Sequence, residues 1–356
     1  MRLAILCSEL AGYMLSCWKA LHDLHGVELL VYCYEAEENA PFQFGALEWI
    51  RHRLPRRGAS VGEMTRRLAE FKPDAVFMSG WMDNGYLAVA RAMRRQNVFV
   101  IAGSDGQWRG TLRQHVGTLT SPLLLKPSID VLWAAGERQV QFARRLGFHG
   151  QRCWRGVYCC DWEKFAHAPD EALAPVTPAF LFVGRYVAEK GIGDLLDGYR
   201  EYRRHTLTPW DLVCVGTGPL ASILQGQPGV KDLGFVQPDH LPAIFKELAG
   251  VFVLPSRVEP WGVVVQEAAA SGLPLICSEA CGAGVHLLQE GFNGWLFDTG
   301  DTEQLAACLH RAATTAPAVL RELGRRSHQL SRMLTPSGWA DKLIKGVAEL
   351  KGRTGA

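Results

Sequence analysis

Residues 256–294 read SRVEPWGVVVQEAAASGLPLICSEACGAGVHLLQEGFNG, and this stretch predicts a β–α–β unit. It follows an apolar run at residues 251–254 that is typical of a buried strand. An Ala-rich helix is predicted from Gly262 to Ser271, and the apolar residues 273–277 predict the next strand. In open α/β sheets, ligands bind outside the carboxyl ends of the strands. The loop before Gly262 is therefore a candidate ligand site.

Two glutamates bracket the turn that opens the predicted helix. Glu259 lies on the loop, and Glu267 lies about one and a half turns into the helix. The N–H groups of Gly262, Val263 and Val264 would face the loop, where a helix N-terminus attracts phosphate. One carboxylate could then reach a sugar hydroxyl and the other a ribose diol, with a diphosphate between them. The alternative is that both are solvated or capping carboxylates of an ordinary helix.

Residues 259–276, EPWGVVVQEAAASGLPLI, resemble the E-x7-E signature of retaining glycosyltransferases of the GT4 family. The resemblance implies the GT-B fold, in which two Rossmann-like, doubly wound α/β domains have a cleft between them. It also implies a nucleotide-diphosphate sugar as the donor substrate, and glycan, polysaccharide or glycolipid biosynthesis as the setting.

The composition indicates a globular protein with two domains of ordinary size, since 48% of its 356 residues are apolar and 21% are charged. No apolar run approaches the roughly 18 residues of a membrane helix. The short apolar N-terminus soon becomes polar, which argues against a signal peptide. Ten scattered cysteines without a C-x-x-C pair favour a reducing cytoplasm. Cys277 and Cys281 could also bind a metal, although no second motif supports this.

Six arginines fall within residues 51–67, although the formal net charge of the chain is only +2. A solvated helix face is the ordinary interpretation, and the alternative is a patch for a charged acceptor or for anionic lipid. We expect a cytoplasmic protein, with peripheral contact at the inner membrane face through residues 51–67 as an alternative. The low net charge gives no reason to expect nucleic-acid binding.

Apolar strands that alternate with helical segments predict a parallel, doubly wound sheet in each half of the chain. The first half is predicted to have strands at 2–7, 27–34, 74–79, 97–102 and 129–134, and helices at 13–24, 61–71, 85–95 and 137–146. The second half is predicted to have further strands at 180–183, 212–215 and 230–235, and helices at 192–204, 240–248, 305–334 (interrupted at Pro317) and 339–351. Residues 35–57 show little periodicity and are predicted to form a surface loop.

The Pro- and Ala-rich residues 167–178 predict a linker, and we place the domain boundary between residues 174 and 175. By resemblance, residues 1–174 form the acceptor-binding domain, which a C-terminal helix at about 336–352 completes. Residues 175–335 then form the donor-binding domain.

Residues 184–191 match the family element G-R-x-x-x-x-K-G. Gly184 allows the turn to approach a ligand closely. Arg185 and Lys190 would bring two cations to the diphosphate and stabilise the charge that grows as the glycosidic bond breaks. Taken alone, an Arg and a Lys near a helix start are ordinary surface residues.

Gly216 begins a G-x-G-x-x-A motif after a predicted strand, as in the dinucleotide-binding fingerprint. The motif is not at the first βα turn of its domain, which favours a structural turn near the donor over NAD binding. Phe235 and Val236 lie in a segment that resembles the one lining the nucleobase in the family. Residues 282–284 predict a close backbone approach or a plain helix cap.

In the first domain, Gly12 is the glycine that remains of the family's Gly-rich loop after strand one. Many members place a His near the sugar at a later position, where this chain has GSDGQWR at residues 103–109. Asp105 could hold a sugar hydroxyl or act as a weak base on the acceptor, or it could be a turn residue. His115 is a weaker candidate.

The sequence therefore predicts a retaining glycosyltransferase that moves a hexose from a UDP-linked or GDP-linked sugar to a hydroxyl of a glycan, lipid-linked or small-molecule acceptor. No D-x-D motif is present, which suits a metal-independent reaction without a cofactor. In the front-face mechanism that the resemblance implies, the leaving diphosphate accepts the proton of the incoming hydroxyl. Two alternatives stay open: a nucleotide-sugar 2-epimerase of the same fold, and a catalytically silent nucleotide-sugar-binding subunit.

Overall fold

The structure is a computed structural model that describes residues 1–34, 42–166, 178–247 and 250–354. The chain forms two compact units. Unit 1 is Met1–Cys159 with Leu334–Ala356, and unit 2 is Cys160–Met333. The boundary expected between residues 174 and 175 lies outside the described residues.

Unit 1 contains one parallel sheet. Its strands are β1 Arg2–Cys7, β2 Glu28–Cys33, β3 His52–Pro55, β4 Ala75–Met78, β5 Phe99–Ser104, β6 Val131–Ala134 and β7 Cys153–Arg155. Their order is β3-β2-β1-β4-β5-β6-β7, and every neighbouring pair is parallel. The central strands are continuous apolar runs because helices cover both faces of a parallel sheet.

The helices of unit 1 that precede β7 are α1 Gly12–His25, α2 Val61–Phe71, α3 Asn84–Arg95, α4 Leu112–Leu124 and α5 Glu137–Arg145. Side chains cap three of them at the N-terminus, where the first N–H groups have no acceptor within the helix. Ser60 caps α2, Asp83 caps α3 and Thr111 caps α4.

Two elements of unit 1 differ from the sequence prediction. Residues 35–57 were predicted to be a loop, but β3 lies within them and pairs with β2 in parallel register. It is an exposed edge strand whose four residues show no alternation, so its pairing alone defines it. Helix α4 was not predicted because its apolar residues lie on the solvent side and Gly117 and Pro122 interrupt the helical pattern. Residues 35–41 lie outside the described part of the chain.

Unit 2 contains a second parallel sheet. Its strands are β8 Ala179–Val183, β9 Asp211–Val215, β10 Val230–Asp232, β11 Val251–Leu254, β12 Leu275–Ser278 and β13 Gly294–Phe297. Their order is β10-β9-β8-β11-β12-β13. The chain builds outward from β8 to β10 on one side and then restarts at β11 on the other side of β8. Such a reversal of strand order leaves a crevice at the carboxyl ends of β8 and β11.

The helices of unit 2 are α6 Trp162–Phe165, α7 Ile192–Arg204, α8 Leu241–Glu247, α9 Val263–Ala270, α10 Gly284–Leu287, α11 Thr302–Thr314 and α12 Pro317–Ser331. The interruption predicted at Pro317 is a break between α11 and α12, because proline is well suited to the first position of a new helix. The strand predicted at 230–235 ends at Asp232, so Phe235 and Val236 lie on the following loop.

The last helix, α13 Pro336–Thr354, belongs to unit 1. Trp339 on α13 stacks on Trp133 of β6 with 4.7 Å between the ring centroids, and its indole N–H donates to the carbonyl of Val157 at 2.8 Å. These contacts fix α13 against β6 and against the segment that follows β7. No helix within the described ranges is long and apolar enough to cross a membrane.

Candidate functional site

The candidate site lies where the strand order of unit 2 reverses. The loop after β8 carries Lys190, at the end of a short 3-10 turn, and the loop after β11 carries Glu259. The Lys190 ammonium donates to Oε2 of Glu259, and the hydroxyl of Ser256 donates to the same oxygen at 3.2 Å. Glu259 is only 6% exposed. A buried carboxylate requires such partners, because burial without them would favour its neutral form.

The backbone of the two loops is also joined, next to this ion pair. The amides of Arg257 and Val258 donate to the carbonyl of Glu189 at 2.8 and 3.0 Å, and the Arg257 guanidinium makes two bonds of 2.7 Å to Asp194. A Cβ atom on Gly191 would lie 2.0 Å from the carbonyl oxygen of Pro255. Only glycine fits at this position, because any side chain would collide with that oxygen. In the sequence, Gly191 was noted only as the last residue of the G-R-x-x-x-x-K-G element.

Helix α9 begins at Val263, shortly after Glu259 in the chain. Gly262 caps α9 with a φ of 91°, a left-handed conformation that an L side chain rarely adopts. A Cβ atom on Gly262 would lie 3.1 Å from Cγ of Glu259. Val263 and Val264 follow and are partly exposed. The first amides of a helix have no intrahelical acceptor, so this terminus can bind an anion.

Glu267 lies further along α9 and is partly buried. Burial of its carboxyl group raises its pKa to about 7; the Lys164 ammonium lowers this pKa, and the Asp161 carboxylate adds to the increase. The neighbouring Gln266 is fully buried, where its side chain accepts from the amide of Cys160 at 2.7 Å and donates to the carbonyl of Ser331 at 3.0 Å. The two consecutive residues therefore differ in role. Gln266 holds α9 in place by its hydrogen bonds, and Glu267 is a carboxyl group with a pKa near neutrality.

The predicted glycines after β8 and β9 lie against each other. The amide of Gly184 donates to the carbonyl of Val215 at 2.9 Å, and a Cβ atom on Gly216 would lie 1.9 Å from the carbonyl oxygen of Gly184. The motif that begins at Gly216 opens a 3-10 turn, whereas a dinucleotide site requires an α-helix there. This geometry supports the structural-turn interpretation. The side chain of Arg185 is exposed to solvent.

Phe235 and Val236 are partly exposed on the loop after β10. The carboxylate of Asp232 holds the start of this loop, since Oδ1 accepts from the hydroxyl of Tyr186 at 2.7 Å and from the amide of Gly234 at 2.9 Å. Burial raises the pKa of Tyr186 far above its ordinary value, and the hydrogen bond to Asp232 raises it further. The loops after β8 and β10 are therefore tied together, and neither Tyr186 nor Asp232 was singled out from the sequence.

In unit 1, Asp105 directly follows β5 and is exposed at the carboxyl edge of the sheet. Its backbone carbonyl accepts from the Gln139 side chain at 3.3 Å. Burial raises the pKa of Tyr158 well above its usual value, and the Asp105 charge adds to this. The ring of Tyr158 packs edge-on against Tyr13, with 5.4 Å between centroids. The sequence analysis assigned no role to Tyr158.

Four further candidate residues are Gly12, His115, Cys277 and Cys281. Gly12 is the first residue of α1. His115 is on α4, edge-on to Trp108 at 4.9 Å between centroids. Cys277 and Cys281 are buried in unit 2, where a hydrogen bond between their thiols raises the pKa of Cys277 well above its usual range.

The family model described as glycosyl transferases group 1 matches residues 177–315. A glycogen synthase of Mycobacterium tuberculosis is 30% identical over 334 residues, which covers 85% of this chain and 76% of the relative. An uncharacterized glycosyltransferase of Methanocaldococcus jannaschii is 36% identical over 126 residues, 33% of this chain. That match spans only 31% of the relative's own length.

Solved structures resemble the whole chain. The crystal structure of Anabaena HepE in complex with UDP has a TM-score of 0.76 and 14% identity, and the match covers 98% of this chain and all of that one. Identity at this level shows the fold alone. The predicted fold class is confirmed: both sheets are parallel, each unit is Rossmann-like, and the likeness is to GT-B structures.

Proposed function

Because the chain belongs to the glycosyl transferases of group 1, we propose that it transfers a hexose from a nucleotide-diphosphate donor to a hydroxyl group of an acceptor. The observation that carries the proposal is the ion pair of Lys190 and Glu259 beside the N-terminus of α9, where the strand order reverses. A cation, a buried carboxylate and helix amides together suit a diphosphate that is joined to a sugar. The product would belong to glycan, polysaccharide or glycolipid synthesis.

In this proposal the diphosphate binds to the amides of Gly262, Val263 and Val264 and to the cations of Arg185 and Lys190. Negative charge grows on the β-phosphate as its bond to the anomeric carbon breaks, and the cations stabilise that charge. Two positive side chains and a helix terminus can supply this stabilisation within the protein itself. We therefore propose a reaction that requires neither a metal nor a cofactor.

We further propose that the anomeric configuration is retained. The acceptor oxygen forms its bond to the anomeric carbon on the face from which the diphosphate leaves, and its proton passes to the leaving phosphate oxygen. Glu259 binds a sugar hydroxyl and orients the ammonium group of Lys190. Asp105 of unit 1 holds a donor hydroxyl or acts as a weak base toward the acceptor.

The nucleoside is proposed to bind to the other predicted residues of unit 2. Glu267 accepts hydrogen bonds from the ribose diol, and the loop of Phe235 and Val236 lines the base. UDP or GDP is the proposed nucleotide, and the UDP complex of the structurally similar Anabaena HepE supports UDP. Gly12, the first residue of α1, is proposed as a donor-binding residue, and the other loops of unit 1 are proposed to bind the acceptor.

Contact of residues 51–67 with anionic lipid stays a proposal, and the structure narrows the residues available for it. Arg56 is not available to bind lipid, because its guanidinium makes two hydrogen bonds to Asp83, at 2.7 and 3.0 Å. Arg66 pairs with Glu70 at 3.4 Å on the same helix. The exposed arginines that could reach lipid are Arg51, Arg53, Arg57 and Arg67.

The test combines thermal unfolding with product analysis. The full chain is heated with UDP, GDP, ADP and their glucose conjugates, since a ligand that binds only the folded state raises Tm. We expect stabilisation by UDP or GDP. Nucleotide release that requires an added hydroxyl acceptor supports transfer. Release without any acceptor would indicate hydrolysis or epimerase chemistry, binding without turnover would indicate a silent subunit, and no stabilisation by any nucleotide would overturn the proposal.

A further inference from the structure

The helix α4 of unit 1 has its apolar side toward solvent. Its outward stripe consists of Leu112, Val116, Leu119 and Leu123, spaced at i, i+4, i+7 and i+11 along one face. These four side chains are between 59% and 85% exposed. Exposed apolar residues are usually scattered singly, so a continuous stripe about 16 Å long needs an explanation.

The inward side of α4 is polar or small. It consists of Gln114, Gly117, Thr118 and Ser121, which are buried or partly buried. An ordinary surface helix has the reverse arrangement, with its apolar stripe on the core. Helix α4 is therefore inverted.

Hydrogen bonds hold α4 in this orientation. The hydroxyl of Ser121 donates to the carbonyl of Leu146 at 2.7 Å. The side chain of Gln114 accepts from the amide of Arg109 at 2.7 Å and donates to the carbonyl of Gln107 at 2.5 Å. A rotation of α4 about its axis that buried the leucines would break these hydrogen bonds. The polar atoms of Ser121 and Gln114 would then lose their partners, which costs free energy.

The C-terminal end of α4 is fixed by cationic side chains of α3. The Arg91 guanidinium donates to the carbonyls of Leu123 and Leu124 at 3.3 and 3.1 Å. Arg94 donates to the carbonyl of Lys126 at 2.6 Å. Both ends of α4 are thus anchored to unit 1, and the leucines are held outward as a rigid surface.

The charged residues of α4 and its immediate flanks are positive, while Asp105 and Asp130 lie just outside this segment, where Asp130 pairs with Arg94 at 2.6 Å. Residues 106–129 contain Arg109, Arg113 and Lys126 and no Asp or Glu. Met82, which is 70% exposed, extends the apolar surface and lies 3.6 Å from the Arg113 guanidinium. Leucines on one face with cations at both ends of the helix are the features of helices that lie in a membrane interface.

We propose that α4 binds the surface of an anionic lipid bilayer. The four outward side chains enter the boundary between headgroups and acyl chains, and Arg109, Arg113 and Lys126 bind lipid phosphates. A second copy of the chain is a poorer occupant, because a symmetric contact between two α4 helices would bring these like charges together. The proposal does not depend on the proposed function, since α4 lies outside the loops of unit 2.

Co-sedimentation of the full chain with lipid vesicles tests this surface. One set of vesicles contains phosphatidylcholine alone, and the other contains equal parts phosphatidylcholine and phosphatidylglycerol. We expect binding to the second set, weakened by salt. We expect the double variant Leu119→Ser/Leu123→Ser to reduce the partition coefficient at least about tenfold, because it removes half of the inserted apolar stripe.

The matched control is Leu207→Ser/Val319→Ser, which removes two exposed apolar side chains from unit 2 and should bind like the wild type. Both variants should keep the wild-type Tm, since all four positions are exposed. A further variant, Arg53→Ser/Arg57→Ser, separates α4 from the basic residues 51–67. The proposal is overturned if wild type does not bind anionic vesicles, or if only the arginine variant loses binding. It is also overturned if light scattering shows a dimer that the α4 variant dissociates and neither protein binds vesicles.

Discussion

Lys190 and Glu259 illustrate what the spacing of a motif cannot show. The two residues were assigned separately, one to the diphosphate and one to the sugar, and the structure joins them in an ion pair with Ser256 as a third member. The sequence identifies both side chains as candidates. It does not say that the loops after β8 and β11 meet, because that depends on which strands become neighbours in the sheet.

Glu267 provides a prediction about pH. Its raised pKa of about 7 means that the carboxyl group changes charge within the working range of most enzymes. The ionised form makes stronger hydrogen bonds to a ribose diol than the neutral acid. Affinity for the nucleotide sugar that gives the largest Tm increase should therefore rise about fivefold as the pH increases through this value. Isothermal titration at several pH values measures the change.

The control for that titration is Glu267→Gln, which should bind with a flat pH profile. A nucleotide sugar is the appropriate ligand because its diphosphate, unlike that of a free nucleotide, does not titrate near neutrality. Unfolding gives an independent check of the sign. Since the folded pKa lies above the unfolded value of about 4.3, the wild type should lose stability relative to Glu267→Gln as the pH rises from about 4 to 7. A wild-type affinity that does not vary with pH would contradict the ribose assignment.

Asp105 provides a second prediction. The side chain is exposed directly after β5, so Asp105→Asn should change the free energy of unfolding by less than about 1 kcal/mol. We expect a large loss of sugar transfer, because the variant keeps the hydrogen-bonding capacity of a turn residue but loses charge and basicity. Initial rates and thermal unfolding of the same preparation measure both quantities. Transfer at the wild-type rate would make Asp105 a turn residue only.

The elements were predictable where burial determines the sequence. Strands such as β1, β4 and β11 are continuous apolar runs because both faces of the sheet are covered, and the predicted bounds agree with the structure within about two residues. The edge strand β3 and the inverted helix α4 carry no such signal. Pairing with β2 defines β3, and hydrogen bonds of small polar residues define α4, so neither follows a hydrophobic period.

The glycine turn after β9 gives a prediction about packing. Gly216→Ala should destabilise the protein by about 2 kcal/mol or more, because the added methyl group would lie 1.9 Å from the carbonyl oxygen of Gly184 and the φ of 153° strains any L side chain. Denaturant unfolding measures the loss. Gly193→Ala in α7 is the matched control, since its Cβ would meet no atom within 4 Å and alanine favours a helix. Equal stability of the two variants would refute the close approach of the turns.

At the scale of the whole molecule, the fold class could be predicted from the sequence more completely than the residues of the site. The E-x7-E stretch and the G-R-x-x-x-x-K-G element follow two neighbouring strands of unit 2, β11 and β8, and the relatives place the chain among the glycosyl transferases of group 1. In unit 1 few family motifs are present, and only the structure shows that the partly buried Tyr158 lies where the charge of Asp105 raises its pKa. Acceptor residues lie on individual loops, whose partners depend on packing that no short motif encodes.

The central claim is that the loops after β8 and β11 of unit 2 hold the diphosphate of a nucleotide sugar. Isothermal titration of UDP and GDP tests it most directly, with the wild type, the double variant Arg185→Ala/Lys190→Ala, and Arg204→Ala/Arg325→Ala as a control that removes two cations elsewhere in unit 2. We predict that the first double variant loses at least about 100-fold in affinity with its fold intact, as expected when two charge-assisted contacts are lost. The control should bind like the wild type. Equal nucleotide affinity in all three proteins would contradict the account.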